Sequence, residues 1–306
     1  MRTVPAALAI LAGIAAAPAL AQAPPSFAPG QLDQLVARVA LYPDPLLAQV
    51  LAAATYPNDI PAAAQWADQH HYLTGQALSN AIAEDQVPWD PSVQALLPFP
   101  SVLEMMSSDM NWTTQLGNAF LADQQAVMDA VQRQRAFATR YGYLRSNGQV
   151  VVREGPYITI MPVNPGFIVV PYYDPAVVFF APRPGFVVGG AIRFGFGVTI
   201  GGFFAPWGWT AGGIRFDWGA HAVLLNNVRW GRTWTNRATY VHPYAAVRRP
   251  APGRARPPEA HALETRSQPE RDAAWQGRPM PRETHGGRGP ARGPAKGREN
   301  GPEKGR

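Results

Sequence analysis

The amino-acid sequence predicts an α+β protein: an N-terminal bundle of short helices, then a β region rich in glycine and aromatic residues, then a disordered basic tail. Three observations support this fold class. Apolar residues recur at helical spacing in the first half of the chain, short β-branched and aromatic runs follow, and the last part has almost no aliphatic side chains. The predicted segments are a signal peptide (1–21), a proline-rich leader (22–30), a helical domain (31–145), a β region (146–245) and the tail (246–306).

The N-terminus has the three parts of a secretory signal peptide. Arg2 provides the positive start, the run over 4–21 is uncharged, and Ala19 and Ala21 form a small-residue cleavage site. An uncleaved membrane anchor is the alternative, but the run is interrupted by Pro18 and barely reaches the roughly 20 residues that span a bilayer. We therefore expect an exported protein of the periplasm or the outer envelope.

The helical domain begins with a clear apolar stripe. Leu32, Leu35, Val36 and Val39 follow the i, i+3, i+4, i+7 spacing of one helix face. Further along, Asp44 and Asp90 are each followed directly by proline. Aspartate accepts hydrogen bonds from the free amides of a helix start, and proline is tolerated in the first turn.

The same reasoning places a helix start at Asp59, which stands two residues before a proline. Ser101 and Glu104 have the spacing of a capping box, and the pattern over 111–140 predicts one long helix. All three aspartates are thus predicted to be helix caps, in a bundle of five or six short helices.

The β region is predicted from short runs at 149–152, 157–160 and 167–170, which glycine and proline separate. Further on, a strand would place phenylalanine, valine and isoleucine on one face and glycine on the other: Phe194, Phe196, Val198 and Ile200 against Gly195, Gly197, Thr199 and Gly201. Such a glycine face suggests that another backbone or sheet packs closely against it.

The tail cannot bury enough apolar surface to offset the entropy of ordering, so we expect it to be disordered. Its basic residues are candidates for contact with anionic envelope polymers or a lipid surface, although a tail that only keeps the protein soluble is the alternative. The candidate contact residues are Arg248, Arg249, Arg254, Arg256, Arg288, Arg292, Lys296 and Arg298.

Charge and cysteine content restrict the function further. The net charge of +6 combines +1 from Arg2, −10 over 22–132, +8 over 133–247 and +7 over 248–306. The chain contains no cysteine, which excludes disulfides, thiol catalysis, cysteine-ligated metals and attachment as a lipoprotein.

No catalytic, metal or cofactor site is predicted. The adjacent His70 and His71 point about 100° apart on a helix and so do not chelate one ion together. Glu84 and Asp85 could form an acid–base pair, but they stand at the end of a helical segment, where acids are more often solvated surface residues. The glycines over 195–201 miss the dinucleotide-binding spacing, so we expect no nucleotide.

Aromatic residues provide the more interesting candidate site. Five tryptophans crowd into the second half of the β region, and exposed rings there would stack on sugars: Trp207, Trp209, Trp218, Trp230 and Trp234. The favoured alternative is that these rings fill the core of a small glycine-rich sheet. Whether the nearly uncharged stretch 185–209 touches a membrane stays open.

Several stretches resemble a known bacterial family. They are LDQLVARVALYPDPLLAQVLAAATYP (32–57) with the following Trp66, WDPSVQALLPFPSVLEMM (89–106), NWTTQLGNAFLADQQAVMDAVQRQR (111–135) and PYYDP (171–175). The pattern is similar to domain of unknown function 3300, a family of exported envelope proteins. The resemblance implies export, and no reaction or catalytic residue comes with it.

The resemblance is dense over 31–180 and loose over 181–245. It departs from the family pattern at Arg38, where a proline is expected. Together these features favour a non-enzymatic exported envelope protein that acts by interaction through its tail. The alternatives are a glycan- or peptidoglycan-binding module that uses the five tryptophans, and a hydrolase of envelope polymers.

Overall fold

The computed structural model describes residues 23–185, 188–195, 197–210 and 212–244, and the predicted signal peptide and the whole predicted tail lie outside these ranges. Helices occupy the first part of this region and antiparallel strands the second, which confirms the predicted α+β class. No helix in the described ranges is both long and apolar enough to cross a bilayer.

Eight α-helices precede the first described strand, and a 3-10 helix over Pro57–Asp59 lies between the second and the third. Their bounds are Pro29–Val36 (α1), Asp44–Ala54 (α2), Ile60–Gln69 (α3), Gly75–Glu84 (α4), Pro91–Gln94 (α5), Pro100–Ser108 (α6), Met110–Ala122 (α7) and Gln124–Arg140 (α8). The predicted apolar stripe of the first helix is buried along its whole length.

Of the three predicted aspartate caps, one is confirmed. The Asp90 carboxylate accepts a 2.9 Å hydrogen bond from the amide of Ser92 at the start of α5. Asp59 precedes α3 as expected but makes no capping bond there. Its carboxylate instead accepts the backbone N–H of Asp90 at 2.9 Å, which ties two helix starts together.

The cap predicted at Asp44 is wrong, because this side chain is buried and engaged elsewhere. Its Oδ1 lies 2.6 Å from Nη1 of Arg135 in α8, a guanidinium with no exposed surface. Arg135 also donates to the carbonyls of Ala40, Tyr42 and Ile158. A buried ion pair needs such additional hydrogen bonds, since its desolvation cost is several kcal/mol per ion.

Two other helix predictions fail for local reasons. The single helix expected over 111–140 is divided at Asp123, whose carboxylate caps α8 by accepting the amide of Ala126 at 2.9 Å. The capping box at Ser101 and Glu104 is absent because α6 already begins at Pro100, so Ser101 lies inside its first turn.

Within its described residues, the β region forms four small antiparallel sheets with the strand orders β1-β2, β3-β6, β4-β5 and β7-β8-β9. The strands are Val150–Arg153 (β1), Thr159–Pro162 (β2), Phe167–Ile168 (β3), Pro171–Tyr173 (β4), Ile192–Phe194 (β5), Val198–Thr199 (β6), Ile214–Asp217 (β7), Ala222–Leu225 (β8) and Val228–Arg229 (β9). A short helix, Pro175–Val178 (α9), follows β4, and a 3-10 helix covers Gly202–Trp207.

Buried side chains from the helices and from the strands form one continuous hydrophobic core. The Arg135–Asp44 pair shows how closely the two parts are joined. Asp44 accepts the amide of Ile160 in β2 at 3.2 Å and the indole N–H of Trp218 at 3.0 Å. The β region therefore packs directly onto the start of α2 and onto α8.

Candidate functional site

The five tryptophans considered for sugar stacking are all buried, with between 0 and 8% of each side chain exposed. Three of them donate their indole N–H to the helical part. Trp207 donates to Oε1 of Gln94 at 2.8 Å, Trp209 to the carbonyl of Ala95 at 2.8 Å, and Trp218 to Asp44. We call Trp207, Trp209 and Trp218 the indole pins, because they fasten the β region to the helices.

The other two tryptophans hold the segment after β9 against the helices. The ring of Trp230 stacks on Phe120 at 5.5 Å, and the backbone N–H of Trp234 donates to Leu121 at 2.8 Å. The guanidinium of Arg237 lies 3.9 Å from the ring centre of Trp234. These contacts are those of core-filling side chains.

The remaining sequence candidates do not converge on one place. His70 stacks on Trp66 at 4.0 Å, and the indole of Trp66 donates to Asp85 at 2.7 Å on an exposed surface. His71 and Glu84 are exposed. Among the described residues, no three histidine or acidic side chains are close enough to hold a metal ion. The eight candidate polyanion contacts, Arg248 to Arg298, lie outside the described residues.

The glycine face of 193–201 has a different neighbour from the one expected. A Cβ placed on Gly195 would lie 2.8 Å from the ring of Tyr172, and one on Gly197 would lie 2.0 Å from the ring of Phe167. The glycines therefore make room for two aromatic rings and not for another backbone. Their alternation was the sequence feature that could have revealed this site.

These rings come from two different strands. The single strand expected across this stretch is divided into β5 and β6, which pair with β4 and β3 respectively. In those pairs Tyr172 lies opposite Arg193 and Phe167 lies opposite Thr199. Cross-strand partners project from the same face of a sheet, so each ring shares a face with one polar side chain.

We call this arrangement the aromatic strip: Tyr172 and Phe167 over Gly195 and Gly197, between Arg193 and Thr199. The two glycines are two residues apart, which places their Cα atoms at most about 7.6 Å from each other. Each ring therefore packs on one of two glycines that stand close together in the chain. Both rings are also accessible, since 51% of Tyr172 and 37% of Phe167 is exposed.

The orientation of Tyr172 is fixed by a second element. Its hydroxyl donates to Oγ of Ser101 in α6 at 3.1 Å. On the other side of the chain, Ile200 is buried in the core and anchors the end of the strip. The ring of Tyr172 is thus held in place before any ligand arrives, which lowers the entropic cost of binding.

An open cleft lies at each end of the aromatic strip. The cleft beside Tyr172 has a volume of about 700 Å³ and is lined by Tyr172, Tyr173, Asp174, Gly190 and Arg193, among others. The cleft at the other end, about 470 Å³, lies between α4 and β6 and includes Thr74, Gly75, Gly197 and Thr199.

Tyr173 forms the inner wall of the larger cleft and belongs to the core. Its hydroxyl oxygen accepts the amide of Leu41 at 3.2 Å. Burial raises the pKa of this phenol well above its ordinary value, so Tyr173 stays neutral and does not act as an acid or a base near neutral pH. A ligand in the cleft would contact the ring of Tyr172, the exposed backbone of the glycines and the positive charge of Arg193.

The comparisons with known proteins identify a family but no activity. The family model described as "Protein of unknown function (DUF3300)" matches residues 28–240. The chain is 36% identical over 203 residues to the uncharacterized protein YacH of Escherichia coli K12, a match that covers 53% of this chain and 33% of that protein. The chain thus spans about a third of the length of this relative. No solved structure matches.

Proposed function

The chain belongs to the family of proteins of unknown function DUF3300, and from this premise we propose that it is an exported, non-enzymatic envelope protein that binds glycans along the aromatic strip. One observation carries the proposal. Two exposed rings pack against glycines that are two residues apart, and their cross-strand partners are the polar residues Arg193 and Thr199.

The chemistry of such a surface suits a sugar. The faces of pyranose rings present C–H groups, which pack against aromatic faces, while hydroxyl groups around the ring edge need hydrogen-bond partners. Tyr172 and Phe167 provide the first kind of contact, and Arg193 and Thr199 provide the second. Envelope glycans are the polymers that an exported protein meets, which the predicted signal peptide supports.

The test is binding of the full mature chain to a panel of peptidoglycan sacculi, lipopolysaccharide and polygalacturonate. The double variant Tyr172→Ala, Phe167→Ala should bind at least one of them about tenfold more weakly, a loss of about 1.4 kcal/mol in binding free energy. Phe180→Ala is the matched control, because this ring is 62% exposed but does not lie over the glycines of the strip. Equal binding by the double variant and the wild type would disprove the proposal.

The basic tail is proposed as a second, electrostatic attachment to the same polymers. Its charge of +7 over 248–306 is the observation that favours this role. Exposed charges are screened within about 8 Å at physiological ionic strength and more strongly at higher salt. Repeating the panel at low and high salt separates the two contributions: attachment through the tail should weaken as salt rises, and a binding strength independent of salt would contradict it.

A further inference from the structure

We propose that the cleft beside Tyr172 recognises a carboxylate group on the bound glycan through Arg193. This inference rests on the proposed function and adds the chemical class of the ligand: an acidic polysaccharide, with uronic acid or a comparable carboxylate-bearing sugar next to the stacked ring.

The first argument is geometric. Arg193 and Tyr172 are paired across β4 and β5, so their side chains leave the same face of the sheet with Cβ atoms about 5 Å apart. A sugar stacked on Tyr172 therefore has its ring substituents within reach of the guanidinium. The cleft of about 700 Å³ leaves room for the substituents on that side.

The second argument is that the positive charge of Arg193 is available to a ligand. Arg193 is exposed, and its guanidinium makes neither an ion pair nor a hydrogen bond to any residue that the structure describes. By contrast, Arg133 and Arg135 are both paired with aspartates, and Arg215 donates to Asn227. A guanidinium with its five donors unused is suited to bind a carboxylate with two parallel hydrogen bonds.

Asp174, the one acid among the described residues that line the cleft, forms no ion pair with Arg193. Oδ1 of Asp174 accepts the amide of Ala176 at 2.8 Å and caps α9. The surrounding sequence over 133–247 also carries a net charge of about +8, which favours an anionic ligand over a neutral or cationic one.

The experiment compares a galacturonic acid hexamer with its methyl ester, in which each carboxylate has lost its charge and gained a methyl group. The wild-type chain should bind the acid about five- to tenfold more tightly, because a charge-assisted hydrogen bond is roughly twice as strong as a neutral one. Arg193→Gln should lose this preference while still binding the ester, and Arg193→Lys should retain part of it. Arg229→Gln, which changes an exposed arginine on β9, should behave as the wild type.

The outcomes separate the two proposals. If Arg193→Gln keeps the full preference for the acid, or if the wild type has no preference, the carboxylate site is wrong. Glycan binding along the strip would still stand if Tyr172→Ala weakened the binding of both hexamers. If neither hexamer binds, the carboxylate site is also wrong, and the panel with sacculi and lipopolysaccharide decides the proposed function on its own.

Discussion

The indole pins and the aromatic strip use the same class of side chain in the same glycine-rich part of the chain, yet one set is buried and the other is exposed. Each indole pin donates its N–H to an acceptor in the helical part, so its ring is enclosed at the junction of helices and strands. Tyr172 and Phe167 lie over glycines instead, and their outer faces remain open.

This difference shows that the residues packed against an aromatic ring determine whether the ring is buried or exposed, more than the type of the ring does. A buried indole N–H usually finds an acceptor, and those of the three pins do, whereas the indole N–H of the buried Trp230 has no partner among the described residues. A ring that packs on glycine contacts the backbone with one face, while its other face stays exposed to solvent. The comparison predicts that changes to the pins affect stability, whereas changes to the strip affect binding.

The largest expected effect is that of Trp207→Ala. The side chain is 1% exposed, and its removal leaves a cavity and an unpaired amide oxygen on Gln94. The free energy of unfolding should fall by about 3–5 kcal/mol, the usual range for a large aromatic residue in a core. Chemical denaturation measures this loss, with Phe180→Ala as an exposed control. A loss below about 1 kcal/mol would show that the pin does not hold the junction.

A smaller effect is expected when only the hydrogen bond of a pin is removed. Trp209→Phe keeps an aromatic ring but leaves the buried carbonyl of Ala95 without its donor. We expect the free energy of unfolding to fall by about 1–3 kcal/mol, the cost of leaving a buried polar group unpaired.

Trp66→Phe is the matched control for that variant. The indole of Trp66 donates to Asp85 on an exposed surface, where water replaces a lost partner. Its unfolding free energy should change by less than about 0.5 kcal/mol. Equal losses in the two variants would mean that ring volume, and not the indole N–H, accounts for the stabilisation by Trp209.

The same comparison explains what the sequence could predict. Helix positions followed from local patterns, since the spacing of Leu32 and Val36 and the cap at Asp90 depend on residues close in the chain. The role of Asp44 did not, because its partners Arg135 and Trp218 are 91 and 174 residues away. The Asp-Pro pattern correctly predicted that a helix begins at Asp44, but the predicted capping role of the Asp44 side chain was wrong.

The aromatic strip could be predicted only in part from the sequence, because it too depends on residues that are distant in the chain. The alternation of Gly195 and Gly197 indicated that something packs closely on that face. Which rings do so depends on strand pairing, and β3 and β4 lie more than twenty residues before the glycines. The amino-acid composition drew attention to the tryptophans. Composition does not show whether an aromatic ring is buried beside a hydrogen-bond acceptor or exposed to solvent.

The smallest expected effect on stability, and the sharpest test of the comparison, comes from Gly197→Ala. The added methyl group would meet the outer end of the Phe167 ring at 2.0 Å, so the ring must turn away from the strip. Because this ring is partly exposed and free to swing outward, the unfolding free energy should change by less than about 1 kcal/mol. Glycan binding should nevertheless weaken about threefold, roughly half the free-energy loss expected for the double variant, since one of the two stacking faces is displaced. Gly202→Ala adds the same methyl group a few residues away where no atom lies within 4 Å, and it should leave binding unchanged.

Denaturation and glycan titration of the two variants in parallel separate the outcomes. A large loss of stability in Gly197→Ala would place Phe167 with the pins, and full glycan binding would mean that the second ring takes no part in the site.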